Sequence, residues 1–151
     1  MKILVVCETN VVHSPMYTEV LKRYLGSAGY RGTTVESAGA LEESRGKEIA
    51  PAWLLLEDIT GIDLSGHLGR WIGDIDLTVF DSIICTNVRV YGNVRKLDPA
   101  LRAIYAVINL GADGENPEKG TDAEFRRCYK EICSSVARLP SSVLSNGKRS
   151  G

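Results

Sequence analysis

Four short β-branched runs punctuate the chain, at residues 3–6, 33–36, 82–85 and 104–108, and stretches with helical spacing lie between and after them. Strand and helix in alternation is the pattern of a parallel sheet with helices on both faces. Strands buried on both sides read as unbroken apolar runs, and Ile3-Leu4-Val5-Val6 is one. After the first run, apolar residues fall at Met16, Val20, Leu21, Tyr24, Leu25 and Ala28, a helical spacing that Gly29 stops. Ser14-Pro15 suits the start of that helix, because Ser caps free N–H groups and Pro is tolerated in the first turn. A second helix is expected over residues 47–60, closed by Gly61. The last helix opens on a capping-box pair, Thr121 and Glu124. It places Phe125, Cys128, Ile132, Val136 and Leu139 on one face and ends at Pro140. Residues 1–140 are therefore expected to form one α/β domain. Residues 141–151, aperiodic and rich in Ser and Gly, are expected to be a disordered tail.

Composition limits the partners. The 151 residues suffice for one domain with its own core. With 18 Lys and Arg against 19 Asp and Glu, the net charge of −1 removes the usual electrostatic case for nucleic acid or an anionic membrane surface. The longest apolar runs fall far short of the ~20 residues that span a bilayer. Four cysteines (Cys7, Cys85, Cys128, Cys133) are too few for a disulfide scaffold, and no secretory signal is visible. Reduced thiols and a cytoplasmic location are the expectation. His13 and His67 are the only histidines, and no Cys/His pair shows ligand spacing, so neither metal nor cofactor is expected.

In open parallel sheets, ligands sit beyond the carboxyl ends of the strands. That points to Cys7-Glu8-Thr9-Asn10-Val11-Val12-His13-Ser14, a thiol at a strand end followed by a loop and a helix start. Successive backbone N–H groups in such a loop converge on an anion, and the helix N-terminus adds about half a positive charge. The same field favours a thiolate. Asn10 suits a left-handed turn position. Two readings of Cys7 stand at this point: a reactive thiol, or a core thiol that happens to end a strand.

The chain resembles the low-molecular-weight protein tyrosine phosphatases, which share their fold with thioredoxin-coupled arsenate reductases. The family motif is a cysteine, five residues, an arginine and then Ser or Thr, directly after the first strand. Ser37-Ala38-Gly39, the segment Gly61-Ile62-Asp63-Leu64-Ser65-Gly66-His67 with Arg70, the third strand Phe80-Asp81-Ser82-Ile83-Ile84-Cys85, and Asn116-Pro117 before the last helix match further family segments in order. The resemblance implies a four-stranded parallel sheet in the order 2-1-3-4. It implies that Cys7 is the nucleophile that attacks phosphorus, and that the loop of Glu8, Thr9, Asn10, Val11, Val12, His13 and Ser14 holds the anion. It also implies a supporting hydrogen-bond network of Asn10, Ser14, Ser37 and His67.

Three departures fall on the chemistry. His13 stands where the family has its essential Arg, Asn116 stands where it has the general-acid Asp, and Thr86-Asn87 replaces Met-Asp after the third strand. Arg offers a planar, permanently charged fork of donors, whereas His is mostly neutral at pH 7. Losing one preorganised donor costs roughly 10²–10³ in rate. Losing a general acid costs about 10²–10⁴. One positive and two negative groups go together, so the pocket reads as retuned as a unit. Asp113, Glu115 and Glu118 flank Asn116 and are read as solvated loop charges. The reductase reading needs a cysteine relay. Asn87 occupies the place of its second cysteine, and Cys85, Cys128 and Cys133 are read as packing residues.

Two functions follow as expectations. One is a Cys7-dependent phosphatase-family enzyme with weak or no ordinary phosphatase activity. The other is a pseudophosphatase that binds a phosphorylated protein or small anion without turnover.

Overall fold

The computed structural model describes residues 1–49, 57, 60–64, 66–102, 104–108, 110 and 122–145. The first strand, β1 (Lys2–Cys7), is buried from Ile3 onward. A strand with no polar face has none to give to water, so it takes the middle of the sheet. It pairs in parallel with β2 (Thr34–Gly39) on one side and β3 (Ser82–Cys85) on the other. The strand β4 (Ile104–Val107) adds in parallel to β3. The order is β2-β1-β3-β4, the one the resemblance implies.

The helices are α1 (His13–Ser27), α2 (Val88–Leu97), α3 (Asp122–Ala137) and α4 (Ser141–Ser145). Side chains alternate across a strand, so β1 serves two cores. Ile3 and Val5 pack with Met16 and Leu21 of α1 and Phe125 and Ile132 of α3. Leu4 and Val6 pack with Val90 and Val94 of α2 and with Ile72 and Phe80. Buried Tyr17 ties α1 to α3 through Ser135, at 3.1 Å, and burial pushes its hydroxyl pKa up to about 12.

Several expectations are corrected. The helix α1 starts at His13 with Val12 as its N-cap and no side-chain cap. Ser14 therefore lies inside the first turn, and its hydroxyl is committed elsewhere. The tail does not begin at residue 141. Val143 and Leu144 of α4 are buried, and Ser82 Oγ donates to the Val143 carbonyl at 2.9 Å. Two adjacent apolar residues in a Ser-rich stretch were enough to dock it; residues 146–151 lie outside the described residues. Lys47 does not open a helix, because Glu48 forms an isolated antiparallel bridge with Leu68. Most of the remaining 47–60 expectation lies outside the described residues, although Glu57 and Thr60 are helical. Gly61 has φ 72°, the left-handed stop its type suggests. Thr121 also lies outside the described residues. The helix α2 went unforeseen; its signals are the Asn87 cap, accepting from Val90 N at 2.9 Å, and the i, i+4 pair Val90 and Val94.

Candidate active site

The register sets Cys7 opposite Gly39 and Val6 opposite Cys85, so the loop after β1 rises over the carboxyl ends of three strands. Asn10 lies at its turn with φ 58°, wholly buried. Every polar group of Asn10 has a partner. Its N–H donates to Cys7 Sγ at 3.1 Å, and its carbonyl accepts from His67 Nε2–H at 2.6 Å. Its Nδ2 donates to Ser14 Oγ at 2.8 Å and Ser37 Oγ at 2.9 Å, and its Oδ1 accepts from Arg70 N at 2.9 Å. The structure thus brings Asn10, Ser14, Ser37 and His67 together behind the loop. Gly39 completes the fit: a Cβ there would collide with the Ser44 side chain, whose hydroxyl donates to the Glu8 carbonyl at 3.2 Å.

Cys7 is buried, and Ser14 Oγ lies 2.9 Å from its sulfur. Ser14 accepts from Asn10 Nδ2 and has one proton to give. Its hydroxyl can donate to the Ala38 carbonyl at 3.4 Å or to the nearer sulfur. The Asn10 N–H is thus one donor to the sulfur, and the Ser14 hydroxyl lies within reach as a second. The side chains of Val11 and Val12 turn into the core. Those two residues therefore offer an anion only backbone. His13 and Thr9 are half-buried.

At the rim, the Glu8 carboxylate lies 3.4 Å from Asn87 Nδ2 and 3.4 Å from Arg89 Nη2. Arg89 is a fixed positive charge near the loop that sequence reasoning missed, since it belongs to the unforeseen α2. Thr86 is 1% exposed, and its hydroxyl has no partner among the described residues. Burying an unpaired hydroxyl costs about 1–3 kcal/mol. Thr86→Val should therefore raise the denaturation midpoint, by about 1 kcal/mol in chemical unfolding; a loss of stability would show that the hydroxyl is paired after all.

Burial lowers the pKa of His67, although its bond to Asn10 and the nearby Glu19 carboxylate oppose the shift. The neutral ring, as its Nε2–H tautomer, keeps the bond to the Asn10 carbonyl without the cost of burying a charge. The unfolded chain then takes up the proton first, so the His67 contribution is complete above about pH 6.5 and is lost as pH falls below it. Comparing urea midpoints at pH 7.5 and 5.5 should show this loss in the wild type and a smaller one in His67→Gln. Equal losses would remove His67 as the cause.

Asn116, Asp113, Glu115 and Glu118 lie outside the described residues. Cys85 is fully buried, and burial pushes its thiol pKa up to about 12. Cys128 is core, Cys133 packs against that core, and none of the four cysteines is in a disulfide. Among the described residues no cluster of three metal-ligating side chains occurs, and no helix is long and apolar enough to cross a membrane.

A four-stranded parallel sheet carrying a cysteine loop ahead of a helix, beyond the carboxyl ends of its strands, defines the class as an open α/β domain. The family model for low molecular weight phosphotyrosine protein phosphatase matches residues 2–149, and the chain belongs to that family. Solved structures agree in fold. A protein tyrosine phosphatase from Entamoeba histolytica superposes with TM-score 0.80 at 19% identity, covering 98% of this chain and 99% of that one. A low molecular weight protein tyrosine phosphatase from T. tengcongensis gives 0.77 at 20% identity, covering 91% and 95%. A drosophila arginine phosphatase gives 0.70 at 25% identity, covering 91% and 94%. No curated protein sequence matches the chain.

Proposed function

We propose that this chain binds the phosphoryl group of a phosphomonoester in the loop from Cys7 to Ser14, and that Cys7 turns it over only weakly. The observation that supports this most is the sulfur of Cys7, buried, accepting from Asn10 N–H at 3.1 Å and lying 2.9 Å from the Ser14 hydroxyl, with His13 where the family has Arg. In the first step the Cys7 sulfur forms a bond to phosphorus, and the bond from phosphorus to the leaving oxygen breaks, that oxygen keeping the electron pair. In the second, water attacks the phosphocysteine, its oxygen bonding to phosphorus as the S–P bond breaks, and phosphate leaves. Backbone N–H groups and the α1 terminus hold the phosphoryl oxygens. Asn116 can neither give nor take the proton that the leaving oxygen and the attacking water require. Good leaving groups, which need little acid help, are therefore the substrates that remain.

The direct test is hydrolysis of an aryl phosphate by the wild type and by Cys7→Ser. Slow turnover that vanishes in Cys7→Ser supports the proposal. Turnover that survives the substitution ends the nucleophile role. Activity should also rise on acidification toward pH 5.5, because a histidine gains charge near pH 6.5 and His13 then partly replaces the guanidinium. A flat or falling profile, with circular dichroism showing the protein still folded, would sink that role for His13.

The paired loss of Arg and Asp favours a second reading, a pseudophosphatase that holds a phosphorylated protein or small anion. It predicts saturable binding of a phosphotyrosine peptide with no Cys7-dependent release of phosphate. Arsenate reduction is the least supported reading, since Cys85 is a buried, protonated thiol and Asn87 is a helix cap.

A further inference from the structure

Three carbonyls of the loop after β1 are held by groups outside it. Cys7 O accepts from Ala40 N at 2.8 Å, Glu8 O from Leu41 N at 3.0 Å and Asn10 O from His67 Nε2 at 2.6 Å. In a trans peptide the carbonyl and the next N–H point in opposite directions, and no cis bond occurs among the described residues. The N–H groups of Glu8, Thr9 and Val11 therefore turn away from these outer partners. None of the three has a hydrogen-bond partner among the described residues. Backbone N–H groups are rarely left so, and several in one loop are free for an anion.

Glu8 O has a second donor, and it is a side chain. Ser44, wholly buried in the turn after β2, donates to it from Oγ at 3.2 Å. Two glycines make the niche for this serine. A Cβ on Gly39 would strike the Ser44 side chain, and one on Gly69 would strike the Ser44 carbonyl oxygen. The turn is tied down on both sides: Ser44 N donates to Leu41 O at 2.9 Å, and Gly46 N to Gly69 O at 2.9 Å. Gly69 stands two residues from His67. One segment thus supports the holders of both carbonyls that flank Thr9, Ser44 on Glu8 and His67 on Asn10.

The aim of these peptides matters more here because of position 13. A guanidinium grips phosphoryl oxygens with its own planar fork of donors. With His13 in its place, the permanent donors of the loop are its N–H groups, and preorganised donors act only when they point at the charge. We propose that Ser44 is a positioning residue of this site: its hydroxyl locks the Glu8–Thr9 peptide so that the Thr9 N–H meets a phosphoryl oxygen. This role rests on the phosphoryl-binding reading above. Without the hydroxyl, Leu41 N alone holds the Glu8 carbonyl, and the peptide is freer to rotate.

The experiment titrates the full-length wild type and Ser44→Ala with inorganic phosphate and follows backbone amide proton shifts. In the wild type the Thr9 and Val11 amides should both move downfield and saturate, as N–H groups do on meeting an oxyanion. Ser44→Ala should bind phosphate about tenfold more weakly. At saturation its Thr9 shift should shrink severalfold, while the Val11 shift, whose peptide His67 holds, stays as in the wild type. A serine needed only for folding would weaken the two shifts together, so equal shrinkage overturns the positioning role. Phosphate bound as tightly by Ser44→Ala as by the wild type overturns it as well. Saturable wild-type binding with a still Thr9 amide does the same without any variant, which covers a Ser44→Ala protein that fails to fold. A wild type that binds no phosphate overturns the phosphoryl-binding reading itself, and the role of Ser44 falls with it.

Discussion

His13→Arg combined with Asn116→Asp should raise kcat/KM for an aryl phosphate by about 10²-fold or more over the wild type. One preorganised donor is worth roughly 10²–10³ and a general acid about 10²–10⁴, and such factors do not simply multiply. His13 is the first residue of α1, half-buried at the end of the loop, so a guanidinium there starts from the helix end that already favours anions. With an aryl leaving group His13→Arg should carry most of the gain, since little proton donation is needed. With an alkyl phosphate Asn116→Asp should carry more of the gain than His13→Arg. Adding Cys7→Ser to the double variant should abolish the gain. Steady-state kinetics on the two substrate types separates these contributions. A double variant as slow as the wild type would mean that the loop does not hold phosphorus in line with Cys7.

Asn10→Ala should destabilise the protein by about 3–5 kcal/mol and make Cys7 readily alkylated. The substitution removes the side-chain bonds to Ser14, Ser37 and Arg70 N. Each buried partner left unpaired costs about 1–3 kcal/mol. Alanine also lacks the side chain that eases a left-handed φ, a further penalty of roughly 1–2 kcal/mol. For a chain of this size the melting temperature should drop by about 10 °C or more. Asn10→Gly removes the backbone penalty and not the lost bonds, so it should recover about 1 kcal/mol and no more. Thermal melts of the two variants, with alkylation rates alongside, decide the matter. Wild-type melting in Asn10→Ala would deny Asn10 its part in holding the loop.

Much of the fold could be read from local pattern. The unbroken run at β1 has only one place in a parallel sheet, and the period of Phe125, Cys128, Ile132 and Val136 has only one face to bury. The helix α2 escaped because its signal is short: a cap and two buried valines, Val90 and Val94, in ten residues. The docking of Val143 and Leu144 escaped because composition averages over a tail, while burial is decided residue by residue.

At the site, the sequence alone determined which chemistry is present and which is missing. Cys7 follows the first strand, Asn10 suits a left-handed turn, and His13 and Asn116 stand where a guanidinium and a carboxylate would act. Residue type carries that information, since charge and proton transfer belong to the side chain itself. Only the tertiary structure decided that the Ser14 hydroxyl lies beside the Cys7 sulfur, that Ser37 and His67 reach Asn10 from distant segments, and that Arg89 pairs with Glu8. The first two of those reaches span 27 and 57 positions, and all are set by strand register and helix docking. Ser14 shows the difference most plainly. Its sequence context marks it as a helix cap, but in the folded chain its hydroxyl caps no backbone N–H and lies 2.9 Å from the sulfur of Cys7.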